Sequence, residues 1–439
     1  MPQDSATPSP SIPAETPSPA EDTAAPTLGR DFRIHLGTVA LNAMAGGILM
    51  AGVPLVAATL TDSPQEISII SAATQLPALI GILAGLVVDR TDRRRLRLIT
   101  MGARTGLVFG ATAVALTGNL TVWALAVLML LYALGGVFIA AANSAMVPQV
   151  APRPLLATAN SRIQGATFVF EDIVGAPIAA VLVLAGSFWI FGVPGLFGIL
   201  AVLLLWSGLR GRSFRAPQEE PGADDHTRGI IKAARDIREG LRFILTHRVL
   251  RPIFTMSLVA NFASAAYFAV FVLWMTGPDS PIGVPAEVFP LYFTVMAVGA
   301  VTATLTISQL LKLLPDFPLM MIGFWCMPFL LIIQVIWPGP WVMVVVMLLL
   351  GYSLTVGNVI AMTLAQKLVP GRMLGRFSGT AQTFSSGLAP VGALAGGLVA
   401  EVFGFAVLHI AVAAVLGAAL MYPILTVRQR DVDALEVDQ

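Results

Sequence analysis

Twelve runs of about twenty mostly apolar residues follow one another along this chain, at roughly 34–58, 66–88, 97–117, 120–142, 163–186, 188–208, 250–276, 287–311, 317–337, 341–364, 378–400 and 404–427. Twenty such residues in a helix cover the roughly 30 Å of hydrocarbon in a bilayer. Only helices and closed barrels satisfy their backbone groups in that medium, and runs of this length fit helices. The distribution of charge supports the count. All but one of the 26 basic residues lie at the N-terminal end, in every second connection or at its edge (Arg97 and Arg251 open their runs), or at the C-terminal end. The exception, Arg104, sits within the third run. The alternate connections (59–65, 118–119, 187, 277–286, 338–340 and 401–403) carry none. One missed or invented span would scramble this alternation. Basic loops stay on the cytoplasmic side, so the pattern puts both termini there. The expectation is an all-α, multi-pass protein of the cell (inner) membrane.

Composition narrows the class further. The chain is 56% apolar and 12% charged, where average usage is about 25% charged. A net charge of +1 argues against nucleic acid as a partner. The single cysteine, Cys326, excludes an internal disulfide. Residues 1–29 are Pro, Ser, Thr, Ala and acid with no apolar run, which reads as a disordered tail rather than a signal peptide. The longest connection, 209–249, divides the rest into halves at 30–208 and 250–427, with a short tail at 428–439. Within it Ile230, Ile231, Ala234, Ile237, Leu241, Ile244 and Leu245 share one helical face among Arg228, Lys232, Arg235, Arg238 and Arg242. A basic amphipathic helix beside a membrane lies in the interface, here as anchor and spacer. GAPIAA (175–180) in the fifth run answers LAPVGA (388–393) in the eleventh. Matching pieces in the same order point to parallel repeats that clamp a site at the midplane.

After the second run the chain reads Gly85-Leu-Val-Val-Asp89-Arg90-Thr-Asp92-Arg93-Arg94. This resembles the G-x-x-x-D-R-x-G-R-R loop of the major facilitator superfamily, at the expected place between helices 2 and 3. Asp92 stands where the family has glycine. That departure, with segments 148–161 and 235–254, resembles the branch holding drug-efflux proteins and the enterobactin exporter. The resemblance implies the major facilitator fold and alternating access. It also implies that Gly85, Asp89, Arg90, Arg93 and Arg94 latch the halves together at the cytoplasmic face. Other marks depart. Tyr132 stands where drug/proton antiporters often carry arginine, and the glycine–proline stretch of helix 5 is reduced to Gly175-Ala-Pro177.

Ionisable groups inside spans are costly and mark function. Here they are Arg104, Glu171 and Asp172, at similar depth. Two readings stand: the acids are the proton-linked site, or one of them forms a structural ion pair with Arg104. Consecutive residues point about 100° apart on a helix, so at most one acid meets Arg104 well. Asn42, Gln75, Asn261, Asn358 and Phe268 are candidates for the substrate cavity, the last within an aromatic seventh run. His35 and His409 read as interfacial or packed. No Gly-Lys-Ser/Thr phosphate loop is present, which argues against ATP hydrolysis. The His-Glu-x-x-His and Gly-x-Ser-x-Gly patterns of membrane hydrolases are also missing. The expectation is therefore no enzyme, no cofactor and no metal. It is a monomeric, proton-coupled exporter of amphipathic or lipophilic small molecules: drugs, siderophores or secondary metabolites. A lysophospholipid or metabolite transporter, including an importer, is the alternative.

Overall fold

The computed structural model describes residues 27–215, 225–427 and 429–430, so most of the two tails and of 216–224 fall outside the described residues. Among the described residues, eleven helices are long and apolar enough to cross a membrane. In chain order, spans 1 and 3–6 are Arg30–Leu60, Arg93–Leu116, Val122–Val150, Arg153–Ala185 and Trp189–Gly208. Spans 7–12 are Leu250–Ala269, Phe289–Leu313, Asp316–Ile336, Pro340–Leu368, Met373–Phe403 and Phe405–Thr426. Span 2 completes the twelve as a pair, Pro64–Ile80 and Leu83–Arg90, bent by 54°. The described residues contain no strand.

Spans 4, 5, 10 and 11 run well past their apolar segments, always at the end that carries the basic connections, here the basic end. Hydropathy measures only the hydrocarbon part of a helix, so those polar turns escape it. Side-chain caps mark several starts. Ser63, Thr121 and Asp92 accept the backbone N–H of Glu66, Ala124 and Arg95. A single residue, Gly404 at φ 84°, joins spans 11 and 12 in a conformation that favours glycine.

Lipid gives helices no hydrophobic reason to associate, so close packing of small residues holds them. A Cβ on Gly47 of span 1 would lie 2.2 Å from the Glu171 carbonyl oxygen of span 5. One on Gly351 of span 10 would lie within van der Waals radii of the Met296 carbonyl of span 8. Gly392 and Gly396 of span 11 sit equally tightly on Phe262 and Ala266 of span 7. The two sets of six meet at the opposite end, where Pro64–Gln75 packs along span 11 and the far half of span 5 packs on span 8. Toward the basic end they part: Gly81–Arg90 packs on spans 3 and 4 instead of span 11.

The helix Asp225–Thr246 docks on the basic end of span 11. The face toward span 11 is therefore a protein contact. Arg376 of span 11 meets Asp236 at 2.9 Å and Glu239 at 2.6 Å, and Gly240 admits Thr380. Ile244 is fully buried while Leu245 is exposed. The side chains of 225–233, including Arg228, Ile230, Ile231 and Lys232, are outside the described residues. His247 then caps span 7, its Nδ1 accepting the N–H groups of Val249 and Leu250 at 3.2 and 3.1 Å. Burial holds its ring below the ordinary histidine range. The folded state therefore favours the neutral ring. The cap is fully present above the unfolded value near 6.5 and is lost as pH falls through the lower folded value. Protection of the Val249 and Leu250 amides, the intrinsic exchange rate over the observed one, is expected to fall as the pH is lowered below about 6.5 in the wild type. His247→Ala, already uncapped, should show no such change beyond the intrinsic rate.

Candidate functional site

Span 5 is not a regular helix where its acids lie. Val169–Val174 forms a π-turn that carries Glu171 and Asp172. Such turns are rare and are found mostly as single bulges, often at functional sites. The wider turn brings successive side chains closer in direction, and both acids line one cavity of about 130 Å³. The cavity lies between spans 1 and 5 on one side and spans 8 and 10 on the other, so each set of six supplies a wall. Met50, Phe168, Phe293, Met296 and Leu354 make it apolar. Thr355 is the only uncharged polar side chain on its wall, and no basic residue lines it. Among the described residues neither carboxylate has a hydrogen bond or an ion pair within the protein.

Arg104 is nearly buried and is held away from that wall. Its Nη1 donates to Asn42 Oδ1 at 2.9 Å, and its guanidinium carbon lies 3.7 Å from the centre of the Tyr132 ring. Gly135 makes the room: a Cβ there would lie 2.8 Å from Arg104 Cγ. Among the described residues no ion pair joins Arg104 to Glu171 or Asp172. The structural ion pair is therefore not formed in this structure. Aromatic rings and amides take up a guanidinium readily, which is how Arg104 stays buried without a carboxylate. Tyr132, at the position given to arginine by the family resemblance, cradles an arginine from the neighbouring span.

The other candidates are scattered. Asn42 lines the small cavity beside Arg104 and Tyr132 and not the one that holds the acids. Gln75 and Asn261 each donate to the carbonyl four residues back, Ser71 and Ser257. Asn358 is exposed, one turn toward the basic end from Thr355 and on the same face. Phe268 packs in a ring cluster, 4.9 Å from Tyr267 and 5.9 Å from Phe271, rather than on the cavity wall. His35 and His409 are both buried, as packed residues. Arg97, counted above with the basic connection, is fully buried, donating to His35 Nδ1 at 2.9 Å and Thr38 Oγ1 at 2.7 Å. Phe293, Met296 and Thr355 were not singled out from sequence. Nothing local marks them, since they become site residues only where spans 8 and 10 face span 5.

In the loop at 85–94, Arg93 and Arg94 make their described contacts within the first six spans. Arg93 pairs with Asp89 at 3.9 Å and donates to the Ala145 carbonyl of span 4. Arg94 donates to the Trp206 carbonyl of span 6. Partial burial raises the Asp92 carboxyl, but hydrogen bonds from Ser213 Oγ and from the N–H groups of Arg95, Phe214 and Arg94 outweigh it and hold it below the ordinary aspartate value. Asp92 thus ties the chain leaving span 6 to the start of span 3. The Asp89 side chain is 69% exposed, and a Cβ on Gly85 would meet nothing within 4 Å. The latch between the halves expected at Gly85 is thus not made in this conformation, where the basic end is parted.

A family model described as Major Facilitator Superfamily matches residues 36–390. No curated protein matches the chain in sequence. Among solved structures it is similar to a bacterial homologue of the iron transporter ferroportin in its inward-facing state, at TM-score 0.70 and 14% identity over 91% of this chain and 99% of that one. The nucleoside transporter NupG is similar at TM-score 0.68 and 12% identity, over 91% and 99%. An auto-inhibited POT family peptide transporter is similar at 0.65 and 16%, over 91% and 96%.

Proposed function

The chain belongs to the Major Facilitator Superfamily, and from that premise we propose that this secondary transporter is a proton-coupled exporter of amphipathic or lipophilic small molecules. The observation that carries the reading is the cavity between the halves, apolar except for Glu171, Asp172 and Thr355. A carboxylate with no protein partner in such a place can take up a proton and release it when the halves move and water reaches it. Apolar walls suit lipophilic cargo. We place the basic end in the cytoplasm by its lysines and arginines. The cavity then sits below a closed outer end, in a conformation that loads from inside. The loop at 85–94 belongs to the opposite state, in which Asp89 and the free face at Gly85 meet the second half. We assign the protein to the drug and siderophore exporter branch on that loop and on segments 148–161 and 235–254. It works as a monomer with no enzymatic step of its own.

Uptake of a lipophilic dye into inside-out vesicles, with and without an imposed proton gradient, tests this. The gradient is expected to drive uptake at least about tenfold above the ungraded rate. Glu171→Gln/Asp172→Asn should reduce it to that rate. Gradient dependence that survives in the double variant would remove the coupling role from these acids. No uptake across a broad lipophilic panel would point instead to a narrow cargo, such as a siderophore, a metabolite or a lysophospholipid.

A further inference from the structure

The linker helix Asp225–Thr246 has two faces, and only one of them has a partner in the fold. We propose that the other binds the headgroups of anionic phospholipid in the leaflet at the basic end, through Arg235, Arg238 and Arg242. Gly240 meets Arg376 and Thr380 of span 11, and Ile244 is fully buried. At about 100° per residue the three arginines fall together on the far side of the helix. All three are exposed, and none has an ion pair among the described residues. The only acids within 234–246, Asp236 and Glu239, are both held by Arg376, so neither neutralises the arginine face. The depth of the helix sets what that face meets. Thr380 Oγ1 donates to the Ile237 carbonyl at 3.3 Å, and Arg376 pairs with Glu239 at 2.6 Å. The apolar run of span 11 begins near 378, between those two residues. The helix also passes straight into span 7 at Leu250, through the short turn 247–249. It therefore lies level with the hydrocarbon edge, among the headgroups. Leu245, 46% exposed, and the half-buried Leu241 flank the arginines along one side. Such a flank dips into the acyl chains while the arginine stems reach back to the phosphates. A guanidinium grips a phosphate with two parallel bonds, and an anionic headgroup brings no ammonium of its own to compete. A soluble polyanion would use the arginines but leave the leucines in water. Held by span 11 on one face and by lipid on the other, the helix fixes the connection between the halves to the leaflet surface. This binding is independent of cargo and of proton coupling.

A fluorophore on Thr246→Cys, in a Cys326→Ser background of the full-length protein, reports which lipid gathers there, since Thr246 is exposed beside the arginines. The purified protein in detergent is titrated with phosphatidylglycerol or phosphatidylcholine brominated on the acyl chains, which quench on contact. Each cation near an anionic surface contributes a factor of about five, so phosphatidylglycerol is expected to quench at a concentration roughly ten- to a hundredfold lower than phosphatidylcholine. Most of that preference should be lost in Arg235→Gln/Arg238→Gln/Arg242→Gln. It should persist in Arg235→Lys/Arg238→Lys/Arg242→Lys, which keeps the charge. Salt should also shrink it in the labelled parent protein, as the screening length drops from about 10 Å at 0.1 M to about 3 Å at 1 M. The salt series keeps the test decisive even where a triple variant does not fold. Equal quenching by the two lipids, or a preference that neither the glutamine variant nor high salt reduces, overturns the proposal. So does quenching by neither lipid, which would put this face in water and leave it to a soluble anion.

Discussion

Gly47→Ala is expected to abolish uptake, although it adds one methyl group to a residue with no charge and no hydrogen-bonding side chain. The added Cβ would lie 2.2 Å from the Glu171 carbonyl oxygen and 2.8 Å from its Cα. Both are backbone atoms, so no side chain can rotate away. Gly175 returns the contact, its own Cβ position falling 2.7 Å from Gly47 Cα. Spans 1 and 5 therefore touch backbone to backbone at the π-turn, and any added atom pushes span 5 and its two acids outward. Overpacking of this kind costs about 1–3 kcal/mol and sometimes more. Here the displacement also falls on the groups proposed to carry the proton. Gly351→Ala tests the far wall in the same way, because spans 8 and 10 cross on Gly299 and Gly351. Gly102→Ala is the control, since a Cβ there meets nothing within 4 Å. Thermal unfolding in detergent, with dye uptake in vesicles, reads the outcome. The two cavity variants should lose several degrees of Tm and nearly all uptake, and the control neither. Wild-type uptake by Gly47→Ala would mean that the spans do not cross this closely during transport.

Such contacts explain what could be read in advance. The twelve spans were legible because each is a local property: a run of apolar residues with the bilayer as a fixed ruler. The gathering of the basic connections at one end was legible for a similar reason, as arginines cluster in every second connection. Asp92 was legible only as a departure from a family pattern. Its cap on Arg95 is local, but its grip on Ser213 and Phe214 spans 120 residues and depends on where span 6 ends. Arg104, Glu171 and Asp172 stood out because charge in hydrocarbon is costly wherever it lies. Which of them pair was not legible. Tyr132 and Asn42 are both adequate partners for a guanidinium, and sequence ranks neither above a carboxylate. The π-turn left no sequence mark, since one extra residue per turn is set by what span 1 presses against. The polar candidates suffered most. An asparagine in a span reads as cavity-lining, yet Asn261 satisfies itself on its own helix.

Cross-linking Ser63→Cys to Glu401→Cys is expected to stop turnover completely, and cleaving the linker to restore it. Ser63 Oγ–H donates to Glu401 Oε2 at 2.8 Å and the Gln65 N–H donates to the same oxygen at 3.3 Å. Ser63 also caps the helix that starts at Pro64, so the Glu401 carboxylate sits on the positive end of span 2. These bonds join residues 338 and 336 apart in sequence, one from each half. Beside them Gly397 of span 11 lies against Ser68, with no room for a Cβ. An alternating-access protein must break this seam to open outward. Exposed hydrogen bonds contribute about 0.5–1.5 kcal/mol each, so removing both shifts the closed-to-open ratio by about one decade. In a Cys326→Ser background, Ile67→Cys is buried behind the seam, since Ile67 is 1% exposed. Its labelling by an impermeant maleimide added outside the cell should rise about tenfold in Glu401→Ala. Glu401→Gln should rise less, because its amide oxygen still accepts. Unchanged labelling in Glu401→Ala, together with full uptake by the cross-linked protein, would show that span 11 does not part from span 2 when cargo leaves. The seam would then be static packing, and the moving interface would have to be sought where span 5 meets span 8.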